Sequence, residues 1–197
     1  MAIYLITGAD RGIGQALCLA LCERGENVIA TCLEDSPLLA QRGAHVERGI
    51  DVTSDEAVQS LAKRLVGTRL DVLVSNAGIA GNGTLGNLDL DDMRSQFEVN
   101  ALGPLRVIDA LLPCLRQGSK IGIITSRVGS LAHDLKGRGV AVVLLHPGMV
   151  RTVLKKDVQG DLVEPAVSAR GLLARIDDLT LETTGTFWRA NGEQLPW

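Results

Sequence analysis

Short apolar runs alternate along the chain with longer segments of helical periodicity. The runs are rich in Val, Ile and Leu and predict strands over 3–7, 27–33, 46–50, 71–76, 121–126 and 140–146. The longer segments predict helices over 12–24, 54–66, 89–116 and 164–177. Because the runs are apolar on both faces and alternate with helices, we expect an α/β fold in which helices cover both sides of a parallel sheet.

Length and composition narrow the class of protein. A chain of 197 residues without a repeat, low-complexity tract or linker predicts one domain over 1–197. No apolar run approaches the roughly 18 residues of a membrane helix, so a soluble protein is expected. The N-terminal MAIYLITGAD lacks the regions of a secretory signal, which makes a cytoplasmic location the default. A formal charge of -3 offers no basic surface to a nucleic acid.

The cysteines give no sign of a metal site. There are four, Cys18, Cys22, Cys32 and Cys114, and none forms a CxxC pair. Cys18 and Cys22 stand four residues apart on an apolar helical stripe, which is typical of reduced cysteine in a core.

A glycine-rich turn follows the first strand. Thr7-Gly8-Ala9-Asp10-Arg11-Gly12-Ile13-Gly14 leads directly into a predicted helix. Glycines let the backbone turn tightly and approach a pyrophosphate, whose charge the helix start favours. The spacing of Gly8, Gly12 and Gly14 differs from the GxGxxG pattern, and such a trio alone could simply form a tight turn.

Two later strands also end in polar or turn-forming residues. Asp51-Val52 ends the third strand and Ser75-Asn76-Ala77-Gly78 ends the fourth. Asp51 could instead cap the next helix, and Asn-Ala-Gly could be an ordinary turn. Their shared position at strand ends favours a nucleotide lying across the carboxyl edge of the sheet, where open α/β sheets bind ligands.

Taken together, these motifs resemble the short-chain dehydrogenase/reductase (SDR) family. The matching segments are TGADRGIG at 7–14, Asp51-Val52, SNAG at 75–78, Asn100 within FEVNALGP, Thr125-Ser126 with the following VGS, and HPGMVRT at 146–152. The ending GTFWRANGEQLPW resembles that of the smaller C-factor-like carbonyl reductases. The resemblance implies a Rossmann-type doubly wound sheet, an NAD(P) cofactor and a small carbonyl or alcohol substrate.

The resemblance also implies roles for individual residues. The cofactor-binding set would be Gly8, Arg11, Gly12, Ile13, Gly14, Asp51, Val52, Asn76, Ala77, Gly78, Pro147, Gly148, Val150 and Thr152. Of these, Asp51 and Val52 would hold the adenine, and the last four would contact the nicotinamide end. Ser126 would orient the reacting group of the substrate and Asn100 would belong to the proton relay. Without the family, Ser126 could merely cap a turn and Asn100 could bond to the backbone.

The markers of cofactor choice are incomplete. At the end of the second strand, Cys32 stands where NAD enzymes of the family carry an acidic residue, and Leu33 where many NADP enzymes carry arginine. Arg11 suits a 2'-phosphate, while Glu34 and Asp35 would oppose that phosphate if they faced it. We expect NADP in preference to NAD.

The acid–base pair of the family is absent. The family carries a tyrosine, followed four residues later by a lysine, on the helix after the Ser126 strand. No YxxxK occurs in this chain, and its one tyrosine, Tyr4, lies in the first strand. Between Ser126 and Val140 the segment LAHDLKGRG resembles only the last turn of that helix and its exit loop. The missing helix is expected to leave part of one sheet face, including VAVVLL, uncovered.

Three other side chains are candidates to replace the missing tyrosine as proton donor. His133 is predicted near the helix exit, and Lys136 in the polar turn KGRG; surface roles suit both. His146 precedes Pro-Gly at a strand end, a position that favours a structural hydrogen bond over proton transfer.

Three hypotheses for function therefore stand. The first is an NAD(P)-dependent oxidoreductase of the SDR type, severely impaired or inactive because its proton donor is missing. The second is a non-catalytic dinucleotide-binding protein that associates through the uncovered face, and the third is a deletion product without a function of its own. Oligomeric state is left open, with a homo-oligomer among the alternatives.

Overall fold

The computed structural model describes residues 1–81, 88–124, 135–151 and 162–196. Its strands are β1 (Ile3–Thr7), β2 (Asn27–Cys32), β3 (His45–Arg48), β4 (Leu70–Ser75), β5 (Leu115–Ile124), β6 (Ala141–His146), β7 (Thr186–Arg189) and β8 (Gln194–Leu195). The helices are α1 (Gly12–Glu23), α2 (Pro37–Gln41), α3 (Asp55–Arg64), α4 (Leu90–Phe97), α5 (Gly103–Leu111) and α6 (Pro165–Asp177).

The strands form one sheet in the order β3-β2-β1-β4-β5-β6-β7-β8. All neighbouring strands are parallel except β7 and β8, which are antiparallel. Strand order reverses between β1 and β4, which creates the crevice in which doubly wound sheets bind ligands. The predicted Rossmann-type fold is confirmed.

In the central strands, alternate side chains enter two separate cores. On one face, Tyr4 and Ile6 of β1 join a cluster built with α1 and α6. On the other, Leu5 joins a cluster built with α3 and α5. This alternation explains why the strands read as continuous apolar runs, since helices cover both faces.

The predicted helix over 89–116 is interrupted. After α4, Glu98–Leu102 forms a π-helical turn, α5 follows, and Leu112–Cys114 closes the segment as a 3-10 turn. Residues 115 and 116, predicted as helical, belong to β5 instead. Pro113 favours this ending because proline cannot donate the hydrogen bond that continues a helix.

Strand β5 begins six positions before the predicted start at 121 because it contains a bulge. Leu70 pairs with Leu115, but Val72 pairs with Lys120, so the intervening residues of β5 loop out. Gly118 takes φ +89° within the bulge, and the Ser119 hydroxyl donates to the Leu70 carbonyl at 2.7 Å. The bulge contains polar residues that interrupt the apolar run, so the apolar pattern did not predict this part of the strand.

The shortened connection between β5 and β6 is compatible with parallel pairing. Its described part consists of a helical end at Leu135 and Lys136 followed by a turn to Val140. The two strands pair from Lys120 with Ala141 to Ile124 with Leu145. The predicted exposure of VAVVLL is wrong, because every residue from Val140 to Leu145 is buried.

Two core clusters account for the burial of these residues, with the exception of Leu144. Ala141, Val143 and Leu145 pack into the cluster that contains α1 and α6. On the opposite face, Val140 and Val142 share a cluster with Leu135 and with the apolar residues of α5.

Within the described part of the chain, no helix is long and apolar enough to cross a membrane. The same residues contain no cluster of His, Cys, Asp or Glu side chains that could hold a metal ion.

Candidate functional site

A cleft of about 500 Å³ opens at the carboxyl edge of the sheet. Its floor lies where β1 and β4 diverge, and its walls come from the segments that follow β2, β3 and β6. The predicted site residues that line it are Gly8, Arg11, Gly12, Ile13, Asp51, Val52, Asn76, Ala77, Gly78, Asn100, Pro147, Gly148 and Val150. Gly14 is buried behind the turn, and Ser126, Thr152 and His133 lie outside the described residues.

The glycine turn is shaped by close backbone approaches. Gly8 and Gly12 have φ of +62° and +60°, in the left-handed region that favours glycine. A Cβ on Gly8 would lie 2.7 Å from the Cα of Ala77, and one on Gly14 would lie 2.5 Å from the side-chain nitrogen of Asn76. Side chains at these positions would separate the turn from β4.

Hydrogen bonds hold the turn against the end of β4. The buried Thr7 hydroxyl oxygen accepts the backbone N–H groups of Asn76 and Ala77, both at 3.0 Å. The Asn76 side chain donates to the carbonyls of Thr7 and Gly8. Thr7 was missing from the predicted set of residues, although its place at the end of β1 was a signal available in the sequence.

The amino end of α1 points into the cleft without a side-chain cap. Arg11 precedes the helix in extended conformation and makes no capping hydrogen bond. By contrast, Ser54 caps α3 and Asp89 caps α4 through their side chains. The first N–H groups of α1 are therefore suited to an anionic ligand.

Asp51 has a local structural contact as well as a place in the cleft. Its Oδ1 accepts the backbone N–H of Thr53 at 2.8 Å and the hydroxyl at 2.7 Å. The alternative role as helix cap belongs to Ser54, whose hydroxyl accepts the Ala57 N–H at 3.1 Å. Asp51 thus shapes the turn that presents Val52 to the cleft.

Val52 contacts two residues of α5, Gly103 and Arg106, that were not predicted to lie beside it. Arg106 donates to the Val52 carbonyl at 2.8 Å and forms ion pairs with Asp55 and Glu98. A Cβ on Gly103 would lie 2.9 Å from the Val52 side chain. Residues so distant in the chain carry no local signal of this contact.

The residues at the end of β2 that bear on cofactor choice differ in whether they face the cleft. Cys32 is buried, and burial raises the pKa of its thiol to about 11. Leu33 and Glu34 line the cleft. By contrast, Oδ1 of Asp35 accepts the Ser36 N–H, and its Oδ2 lies 3.6 Å from a guanidinium nitrogen of Arg48. Of the two acids, Glu34 is the one that faces the cleft.

Asn100 lies in the π-helical turn between α4 and α5. Its amide nitrogen donates to the Ile79 carbonyl at 2.8 Å, and its oxygen accepts the Ile79 N–H at 2.9 Å. It therefore bonds to the backbone of the segment after β4, as the simpler interpretation expected. Single π-turns of this kind occur frequently at functional sites.

The segment after β6 forms the opposite wall. Gly148 has φ +84°, and its N–H donates to Nδ1 of His146 at 2.9 Å. The structural hydrogen bond predicted for His146 is therefore present, and His146 also lines the cleft. Lys136 is exposed and is not among the residues that line this cleft.

The fold and the cleft define a doubly wound α/β protein with a ligand site at the switch point of its sheet. A family model described as short chain dehydrogenase matches residues 2–130, about two thirds of the chain. The chain belongs to the short-chain dehydrogenase family.

Curated relatives support this assignment over the full chain. It is 44% identical to 1-hydroxy-2-glutathionyl-2-methyl-3-butene dehydrogenase of Rhodococcus sp. (strain AD45), with all of both chains covered. That alignment spans 226 positions, 29 more than the 197 residues of this chain. The chain is also 40% identical to the C-signal protein of Myxococcus xanthus, over 65% of this chain and 93% of that protein.

Solved structures agree in fold. A short-chain dehydrogenase/reductase of Burkholderia multivorans with bound NADP has a TM-score of 0.85 and 26% identity, covering 100% of this chain and 99% of that one. A carbonyl reductase of Pseudomonas aeruginosa has a TM-score of 0.80 and 27% identity, with both chains fully covered.

Proposed function

We propose that this chain binds NADP(H) in the cleft, and that its oxidoreductase activity toward carbonyl or alcohol substrates is severely impaired. The observation that carries the proposal is a complete glycine turn and cleft in a chain whose one tyrosine lies elsewhere. Tyr4 is buried near the amino end of β1, whereas the cleft opens at the carboxyl ends of the strands.

The shape and chemistry of the cleft fit a dinucleotide. The uncapped start of α1 offers N–H groups to a pyrophosphate, and Gly8 and Gly12 keep side chains out of its path. The Arg11 side chain is 62% exposed beside this turn, and a guanidinium suits a 2'-phosphate by its charge and its hydrogen-bond donors. The Burkholderia relative with bound NADP supports the same class of ligand. When bound, the nicotinamide supplies or accepts a hydride.

The missing step is proton transfer. In the family the tyrosine hydroxyl gives or takes the proton, and the lysine lowers its pKa and holds the nicotinamide ribose. Burial raises the pKa of the Tyr4 phenol, and its position in the core separates it from the cleft. Losing a positioned acid typically lowers the rate by about 10²- to 10⁴-fold. We expect at least this impairment.

The alignment with the Rhodococcus protein is longer than this chain, which supports the loss of a segment from this chain. The 29 additional aligned positions would accommodate a helix with its flanking loop. In the family the YxxxK helix follows the Ser126 strand, so we place the loss in the connection 125–140 between β5 and β6. The relative's name also indicates the first substrate to test, an alcohol carried on a glutathione conjugate.

The observations give less support to an interaction protein that associates through an uncovered strand. Every residue from Val140 to Leu145 is buried, so this segment offers no exposed apolar edge to a partner. The proposal therefore concerns binding of the cofactor rather than association.

The test is a titration of the full chain with NADPH and with NADH, followed by nicotinamide fluorescence. Carbonyl reduction and oxidation of the glutathionyl alcohol are assayed in the same samples, with the Rhodococcus relative as a positive control. Saturable binding with turnover at least 10²-fold below the relative is expected. Turnover equal to that of the relative would contradict the impairment, and a folded chain without binding would contradict the cofactor assignment.

A further inference from the structure

The turn at Pro147 and Gly148 is fixed from three directions. The His146 carbonyl accepts the backbone N–H of Ala190, beyond β7, at 2.9 Å. The Pro147 carbonyl accepts the hydroxyl of Ser168, a buried residue of α6, at 2.7 Å. The Gly148 N–H donates to Nδ1 of His146 at 2.9 Å. Two of these three bonds depend on a side chain.

The hydrogen bond within the turn defines the state of the imidazole. A backbone N–H can only donate, so Nδ1 of His146 must present a lone pair to Gly148. A neutral ring with its proton on Nε2 meets this requirement, and a proton on Nδ1 would break the bond. The side chain thus closes a turn over two residues, as asparagine and aspartate do in Asx turns.

The turn forms a wall of the cleft and is separate from the glycine turn that would hold the pyrophosphate. His146, Pro147 and Gly148 line the cleft together with Ile124 at the end of β5. Strand β6 pairs with β5 on one side and β7 on the other, which fixes the strand independently of the His146 side chain. Loss of the side-chain bond would therefore affect the turn more than the sheet.

We propose that His146 and Ser168 are positioning residues, which hold the Pro147–Gly148 turn in the form that receives the nicotinamide half of the cofactor. This inference rests on the proposed function, since it requires a dinucleotide in the cleft. It assigns His146 a role through the backbone of the turn. The imidazole need transfer no proton for this role.

The experiment compares His146→Ala with His146→Asn. An asparagine oxygen can accept the N–H of the residue two positions later, so the second variant keeps the acceptor that the first one removes. Each folded variant is titrated with NADPH and with adenosine 2',5'-bisphosphate, which carries the adenine half of the cofactor without the nicotinamide. Ser168→Ala provides an independent change at the other side-chain bond.

His146→Ala should bind NADPH about three- to tenfold more weakly than the parent chain, the effect of one neutral hydrogen bond. Its affinity for the bisphosphate should be unchanged, and His146→Asn should restore NADPH binding to within about twofold of the parent chain. Ser168→Ala should likewise weaken binding of NADPH and leave binding of the bisphosphate unchanged.

Three results would overturn the inference. One is NADPH binding by His146→Ala equal to that of the parent chain. Another is an equal loss for NADPH and the bisphosphate, which would indicate general damage. The third is a folded His146→Asn variant whose NADPH affinity is not restored toward that of the parent chain. A parent chain that binds neither ligand would overturn the proposed function itself, and this result is seen before any variant is compared.

Discussion

The side-chain nitrogen of Asn76 lies 3.0 Å from the carbonyl oxygen of Gly8 and joins the end of β4 to the glycine turn. The same nitrogen donates to the Thr7 carbonyl at 2.9 Å. One amide group thus satisfies two backbone acceptors beside the first turn of α1. The family motif at 75–78 therefore has a structural function at the base of the cleft.

Removing this amide should lower both stability and cofactor affinity. Asn76→Ala removes the amide that donates to the Thr7 and Gly8 carbonyls, which we expect to lower the free energy of unfolding by about 1–3 kcal/mol. Urea denaturation measures this change, and a titration with NADPH measures the accompanying loss of affinity. Asn27→Ala, at an exposed position of β2, is the control. Equal stabilities of the two variants would contradict the role of Asn76.

A side chain at Gly14 should be poorly tolerated for a steric reason. The Cβ of Gly14→Ala would overlap the Gly8 carbonyl and the Asn76 amide, so the helix or the turn must shift. Overpacking of this kind typically costs about 1–3 kcal/mol. Gly137→Ala is a matched control, since a Cβ there meets no atom within 4 Å. Thermal melting of both variants should show a lower Tm for Gly14→Ala alone.

Most of the fold could be predicted because its strands are short, apolar and buried on both faces. Strand β1 was predicted with the observed bounds of Ile3–Thr7. The pattern failed where polar residues enter a strand, as in the bulge of β5, and where the residues of a strand are only partly buried. Strands β7 and β8 were not predicted, and the four residues of β7 are all partly exposed, so they lack a continuous apolar run.

The site was predictable where local motifs define it. Gly8, Gly12 and Asn76 could be found because turns and strand ends have recognisable residues. The contact of Arg106 with Val52 could not, since it joins residues 54 positions apart and depends on how α5 packs beside α3. The predicted exposure of β6 failed for a related reason, because Leu135 and Val140 pack into the core beside it.

The amino edge of the sheet should contribute a pH-dependent part of the stability. Partial burial of Asp71 opposes its ionisation, but the Ile3 N–H at 2.8 Å and the Arg116 guanidinium together hold the pKa of this carboxyl below its ordinary value. Because this pKa is lowered, the ionised Asp71 contributes to the free energy of unfolding above about pH 4. This contribution is lost as the pH falls through the pKa of the folded state.

Asp71→Asn should therefore differ from the parent chain most strongly at neutral pH. Urea denaturation from pH 7 to pH 3 should show a constant difference in stability down to about pH 4.5 and a narrowing difference below about pH 4. Asp109→Asn, at an exposed carboxylate of α5, is the control for a change of net charge. A difference that stays constant down to pH 3 would disprove the assignment to Asp71.

Cofactor choice should depend on two opposite charges at the adenine end of the cleft. Arg11 and Glu34 both line the cleft, and the Arg11 side chain is 62% exposed. A 2'-phosphate attracts the guanidinium and repels the carboxylate, whereas the 2'-hydroxyl of NADH interacts with both only weakly. Arg11→Ala should weaken NADPH binding by about three- to tenfold with little change for NADH. Glu34→Gln should strengthen NADPH binding and leave NADH within about twofold.

The ratio of the two dissociation constants is the decisive measurement, because it cancels any general loss of folded protein. Arg138→Ala, in the exposed turn before β6, changes net charge equally and should leave this ratio unchanged. Higher salt should reduce the effect of Arg11→Ala, since exposed charges are screened over about 8–10 Å at physiological ionic strength. An Arg11→Ala variant that weakens NADPH and NADH equally would show that Arg11 acts on the shared pyrophosphate. The 2'-phosphate would then have to be recognised by other residues.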